Sequence, residues 1–299
     1  MIYYNKITDI FCLVDEFTQK FTPFLQAHSI GNKSKRPPIM SQSEIITIMI
    51  IFHLSGFRCF KHFYVFYVQK HMKDDFPNTV SYNRFTELMQ SNILPLTMFL
   101  KTCCMGSCTG ISFVDSTPIR VCKNKRIKNN KVFKDIAQVG KSTMGWFFGF
   151  KLHIVINDKG EILSFTITPA NVDDREPLKN ESFLKGIFGK LFADKGYISK
   201  QLEKILFVDG IHLITQLRNN MKNSLMTLSD KVLLRKRSVI ETVNDELKNM
   251  CQVEHSRHRS IGNFFTNLIS GLIAYSFFDK KPSLKFQKAL NDNQITIFD

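Results

Sequence analysis

Three carboxylates stand in contexts that could bring them together. Ile-Ser-Phe-Val-Asp115 and Lys-Leu-Phe-Ala-Asp194 are each a short, mostly apolar run ending in an aspartate. In a sheet buried on both faces, charged side chains belong at strand ends, where ligands bind. Two such aspartates side by side would repel, raising a pKa unless a cation compensates. Mg²⁺ suits them, with Mn²⁺ as a substitute. It is hard, prefers oxygen ligands and is held by few carboxylates plus water and substrate phosphate. The third carboxylate lies in Arg237-Ser-Val-Ile-Glu241-Thr-Val-Asn-Asp-Glu-Leu-Lys248. As a helix over 237–252, this segment would bury a stripe of Val239, Val243, Leu247 and Met250. Arg237, Glu241 and Lys248 would then share the opposite face, with Lys248 about 10 Å along the axis from Glu241. A carboxylate with a cation on either side suits gripping a phosphate backbone beside a metal. A surface Arg–Glu pair is the plain alternative, and Asp245, at i+4 on the same face, is the rival third carboxylate.

Cations crowd the chain after the first aspartate. Arg120, Lys123, Lys125, Arg126, Lys128, Lys131, Lys134, Lys141, Lys151 and Lys159 are opposed between residues 116 and 160 only by Asp135 and Asp158. Such a run is often only a solvated face. Following a strand-end aspartate, it points to phosphate binding. Asp173 and Asp174 lie in a turn-like Asn-Val-Asp-Asp-Arg and are expected to cap or to be solvated rather than to ligate. His153 is expected to be a packed, hydrogen-bonded histidine, with an approach to the aspartates as the minority reading. Trp146, the single tryptophan, is expected in the core rather than as a base-stacking platform.

The elements that must position these residues follow from periodicity. Residues 1–105 read as helical, with apolar residues at near-helical spacing over 7–24 and a basic, Pro-containing loop over 32–38. Ser41 and Glu44 form a capping box before the apolar run 45–54, which Gly56 closes. Helices over 60–73 and 80–90 follow, the latter presenting Tyr82, Asn83 and Arg84 in its first turn. This pair could be a helix-turn-helix DNA reader or an ordinary helical bundle. After Gly106 the pattern changes: a strand over 111–114, a hairpin of 147–156 and 162–168 joined by Asn157-Asp158-Lys159-Gly160, a strand over 190–193, a helix over 199–208, a strand over 211–216, and helices over 237–252 and 264–278. This is a mixed α/β sheet with helices covering it.

Bulk properties limit the partners. The 299 residues carry a formal charge of +15 with pI near 9.5, which favours a polyanion, either nucleic acid or an anionic membrane surface. A hydrophobic fraction of 43% and mean hydropathy of −0.10 fit a cored, soluble chain. No apolar stretch reaches the roughly 20 residues of a spanning helix, and the opening Met-Ile-Tyr-Tyr-Asn-Lys lacks the form of a signal peptide. An intracellular protein is therefore expected. Seven cysteines fit a reducing compartment. Cys103, Cys104 and Cys108 cluster, but no second ligand pair follows at zinc-site spacing.

The carboxylates, in this order, resemble those of the DDE transposases of bacterial insertion sequences. Asp194-Lys195-Gly196-Tyr197 is similar to their second-aspartate motif. Arg237, Glu241 and Lys248 match their Tyr-(2)-Arg-(3)-Glu-(6)-Lys signature, with Leu234 a departure at the Tyr position. Thr168-Pro-Ala-Asn-Val-Asp-Asp-Arg-Glu-Pro177 resembles the stretch after the hairpin. The resemblance covers roughly 106–280. It implies a ribonuclease-H-like catalytic domain over 106–285, preceded by an all-helical N-terminal domain over 1–105 and followed by a tail over 286–299. It also implies a two-metal displacement in which Asp115 bridges both ions and Asp194 and Glu241 each hold one. Double-stranded DNA would be the partner, both the element's terminal inverted repeats and the target. Arg237, Lys248, Lys195, Arg120, Lys123, Lys125, Arg126, Lys128 and Arg84 would contact it, and a homodimer would bring the two ends together. A metal-dependent nuclease of the same fold and a catalytically inactive DNA-binding protein are the competing functions.

Overall fold

The computed structural model describes residues 4–28, 38–216, 226–254 and 258–284. Most of the loop expected over 32–38 and the tail over 286–299 lie outside the described residues. A six-stranded mixed sheet forms the centre. β1 (Ile111–Cys122) pairs antiparallel with β3 (Gly145–Asn157), whose far edge is shared end to end by β2 (Gln138–Ser142) and β4 (Ile162–Pro169). On its other side β1 pairs parallel with β5 (Gly189–Ala193), which pairs parallel with β6 (Ile211–Thr215). The β3–β4 turn is the one expected. Asn157 Oδ1 accepts from the backbone N–H of Lys159 and Glu161, and Gly160 adopts φ +74°, a left-handed turn conformation.

Two layers cover the sheet. One face, carrying Val114, Val155, Leu191, Ala193 and Leu213, packs with the short helix Glu181–Leu184 and the helix Lys200–Val208, capped by Ser199. The other face carries Phe113, Ile119, Leu152, Ile154 and Phe192 and belongs to a larger core that runs into the N-terminal helices. The link is the helix Ile261–Ser276, buried from Phe264 to Tyr275 except for the half-buried Phe265. Phe264 and Phe265 meet the Phe150 ring on β3 at 5.2 and 5.9 Å between centroids. The same helix packs on Gln42–Leu54 and Tyr82–Ser91. The capping box at Ser41 and Glu44 is present. No described helix is long and apolar enough to cross a membrane.

Several expectations need correction. β1 does not end at Asp115 but continues to Cys122, because β3 pairs with it to the end while β5 pairing stops at Phe113. Pro118 is tolerated there because that side of the strand is free. β2 was not expected, since Gln-Val-Gly-Lys-Ser has no apolar alternation. The helix over 60–73 is a composite ending at His71, with a π-helical stretch Phe63–Val68 in its middle. Ten residues, 72–81, separate it from Tyr82–Ser91, longer than the three- to four-residue turn of a helix-turn-helix. Trp146 is not core: it is 61% exposed beside the β2–β3 turn.

Two core histidines make the fold acid-sensitive. Burial pulls His53, whose Nδ1 meets the Cys251 carbonyl, and His153 down to about 4. A folded-state pKa below the unfolded value of about 6.5 means that the unfolded chain binds more protons as pH falls through that window. At pH 5 each imidazole should cost about 2 kcal/mol of stability. Urea midpoints should fall from pH 7 to pH 5, and both imidazoles should stay neutral by NMR at pH 5.5. Protonation of either ring near pH 6.5 in the folded protein would refute the assignment.

Candidate active site

The two aspartates are brought together by strand register. β1 and β5 pair with a constant offset, Ile111 with Lys190, Ser112 with Leu191 and Phe113 with Phe192. Carried on past the last pair, that offset of 79 sets Asp194 level with Asp115, and the Asp194 charge acts on the Asp115 carboxyl. The side-chain period of two puts Asp115 on the face of Phe113, its partner Ile154 and the larger core. Asp194 follows the end of β5 and caps a single 3₁₀ turn, Lys195–Tyr197, accepting from the Lys195 N–H at 2.7 Å.

Glu241 arrives from above that face. Its helix, Ser238–Asp245, buries Val239, Ile240, Val243 and Asn244 and packs on β1. Asn244 donates from Nδ2 to Asp115 Oδ2 at 3.1 Å. Arg237, just ahead of the helix, donates from Nη2 to Glu241 Oε1 at 2.7 Å, while its Nε is buried without a hydrogen-bond partner among the described residues. The helix then widens into a π-turn, Glu246–Met250, closed by the Cys251 N–H on the Glu246 carbonyl. The extra residue rotates the apolar stripe by one position, so Cys251 is buried and Met250, expected inside, is 54% exposed. Lys248 lies within this turn and pairs with Glu254 at 3.5 Å, and Glu254 Oε1 also accepts the Arg120 N–H at 3.1 Å.

Electrostatics tie the group together. Burial pushes Asp115 up to about 6, opposed by the Arg237 charge and reinforced by Glu241 and Asp194. All three charges therefore act on one carboxyl. Burial pulls Lys248 below the ordinary lysine range, partly offset by Glu254 and more weakly by Asp115. Tyr197 is buried near the site. Burial followed by the Asp115 and Asp174 charges raises its pKa well above the ordinary value, against a hydrogen bond with Ser116. As the side chains stand, no three His, Cys, Asp or Glu groups among the described residues converge closely enough to chelate an ion.

The remaining candidates separate. Asp245 accepts from Asn249 at 2.6 Å and is not among the charges acting on Asp115. Asp173 accepts the Arg175 N–H and is clamped by that side chain, as capping predicts, whereas Asp174 pairs with Lys151 instead. His153 projects to the sheet face opposite Asp115 and bonds Thr168 Oγ1 at 2.8 Å. Lys151, counted among the phosphate-binding cations, is also on that face, 13% exposed. Lys123, Lys125, Arg126 and Lys128 are exposed on or beside the 3₁₀ segment Asn124–Asn129, and Arg120 and Lys195 are exposed too. Arg84 is exposed but paired with Glu87 at 2.7 Å. Leu234, at the family's Tyr position, is buried in the core. Asn244 is the site residue missed in the sequence. Its signal was a polar residue next to the apolar stripe, three positions after Glu241.

Residues 105–261, more than half of the chain, match the family model described as transposase DDE domain. The chain belongs to the DDE transposases. No curated protein matches it significantly. The family generally uses divalent metal ions and acts on DNA. The transposase thus carries its acidic residues on a sheet and helix of the expected order. Because burial and two like charges disfavour ionised Asp115, metal-free protein loses stability as pH rises from about 4 through about 6. Asp115→Asn should stabilise the transposase in EDTA at pH 7.5 by on the order of 2 kcal/mol, with the gain vanishing near pH 4. Equal melting temperatures for the two proteins at pH 7.5 would mean that the carboxyl is not disfavoured.

Proposed function

We propose that this transposase serves a bacterial insertion sequence, binding the element's ends and catalysing both strand cleavage and strand transfer. Asp115, Asp194 and Glu241 would hold two divalent ions, Mg²⁺ in the cell. The observation that carries this reading is the common register of Asp115 and Asp194 beneath the helix bearing Glu241. The donor set fits a hard cation, being carboxylate oxygen throughout. Glu241 must first turn away from Arg237, which holds it at 2.7 Å. The ions, when bound, would supply positive charge that activates the attacking oxygen and stabilises the leaving one.

The chain's own residues do the rest. Asn244 keeps the Asp115 carboxylate aimed through Oδ2. Arg237, released from Glu241, and Lys248 are positioned to hold backbone phosphates. Exposed Lys195, Arg120 and the cations of 123–128 extend that track, and Arg84 offers a contact from the N-terminal helices. In the first step water attacks the phosphorus and the bond to the 3′ oxygen breaks, leaving a 3′-OH and a 5′-phosphate. In the second step that 3′-OH attacks a target phosphodiester, forming one ester as another breaks. No covalent protein–DNA species is needed. Two ends must meet, which calls for a homodimer in the DNA complex.

Cleavage of a labelled duplex carrying the element's own end tests this with Mg²⁺, Mn²⁺, Ca²⁺ or EDTA. Glu241→Ala should lower nicking by at least about two orders of magnitude while DNA binding persists. Joined products would separate transposition from plain hydrolysis. Undiminished cutting by Glu241→Ala would remove it from the site, and binding without cutting under any metal would leave a DNA-binding protein only.

A further inference from the structure

The function above does not use the tip of the β2–β3 hairpin. Its two-residue turn, Thr143 and Met144, is followed by Gly145 at φ +101° and then by the chain's single tryptophan. Met144 is 81% exposed and Trp146 61%. Adjacent exposed apolar side chains rimmed by polar residues mark an interaction site, and this pair is carried on a hairpin paired up to its turn. Lys141 pairs with Trp146 and Ser142 with Gly145, and the next two residues, Phe147 and Phe148, are buried. Asn124 Nδ2 donates to the Trp146 carbonyl at 2.8 Å, tying the tip to the basic segment.

Charge identifies what covers it. The Lys141 ammonium lies 5.9 Å from the centre of the indole ring. Lys123, Lys125, Arg126 and Lys128 are exposed alongside Asn124, and no acidic residue occurs from 120 to 134. An apolar point ringed by cations fits a duplex whose backbone is gripped while a side chain enters the base stack. Resting on the reading that this chain binds element DNA, we propose that Trp146, flanked by Met144, is a wedge that unstacks one base step of the bound duplex. Trp146 is eight residues along β3 from Ile154, the partner of Asp115. That is about 26 Å at 3.3 Å per residue, so the wedge meets the duplex about eight base pairs from the bond that is cut, at 3.4 Å per pair. Unstacking there would kink the end and fix its path towards the carboxylates.

The experiment uses the full chain in EDTA, so that only binding is read. Emission of the single tryptophan is followed as a duplex carrying the element's end is added. A 2-aminopurine is placed in turn at positions six to ten base pairs from the cleaved bond. The expected result is quenching of the tryptophan by at least about twofold and a rise in 2-aminopurine emission at one position. Trp146→Ala should abolish that rise and weaken binding about tenfold, whereas Trp146→Phe should keep the rise. Unchanged tryptophan emission at saturating DNA overturns the wedge while leaving the cleavage reading intact. Equal quenching by heparin, quenching by anionic vesicles in place of DNA, or a concentration-dependent change without DNA also overturns it, indicating charge alone, a membrane surface or a second copy. Failure to cut in a parallel assay with Mg²⁺, with the quenching in EDTA preserved, overturns the cleavage reading and supports the wedge.

Discussion

The stacking of Phe113 on Phe192, 5.4 Å between ring centroids, is the contact on which the site depends. These rings are opposite each other in the parallel β1–β5 pair, and both point into the larger core. A one-residue slip would send one ring to the wrong face and with it the aspartate two positions later. Hydrophobic packing two residues back therefore holds two like-charged groups together against their own repulsion. The chain also ends the β5 pairing at that point and leaves the β1 edge free from Asp115 through Pro118. The carboxylates thus sit at an opening in the sheet rather than within a ladder.

That arrangement is electrostatically costly without a cation, and the surroundings limit the cost only in part. Asn244 supplies a neutral donor and Arg237 a positive charge, but burial still dominates at Asp115. Keeping such a group in a domain whose net stability is only some 5–15 kcal/mol indicates that affinity for charge has been favoured over stability. Arg237 is shared between structure and site: it neutralises Glu241 while its Nε has no hydrogen-bond partner among the described residues.

The helical half of the molecule supports this from behind. The helix Ile261–Ser276 is mostly apolar because from Phe264 to Tyr275 it is almost wholly covered, by N-terminal helices and by the sheet. The π-turn at Glu246–Met250 lets the Glu241 helix end where Cys251 can enter the same core and offer its carbonyl to His53. It also sets Lys248 against Glu254, whose other carboxylate oxygen receives the Arg120 N–H. The start of the basic segment is thereby linked to the end of the helix that carries Glu241.

The sequence by itself determined the local elements and supplied the candidate acidic residues. Strand ends at Asp194, the capping box at Ser41, the Asn157–Gly160 turn and the Arg237–Glu241 spacing are all short-range signals, fixed by dihedral preference and periodicity. The family's motifs added the order of the carboxylates. Tertiary structure decided what depends on long-range pairing. β1 continues past Asp115 because β3, some 40 residues away, keeps supplying partners. The π-turn was illegible because its cause is the fit of Cys251 into a core built from other helices. Trp146 was expected inside on its residue type, yet lies outside because Phe147 and Phe148 already fill the core beside it, and Asn244 gained its role only when its helix crossed β1.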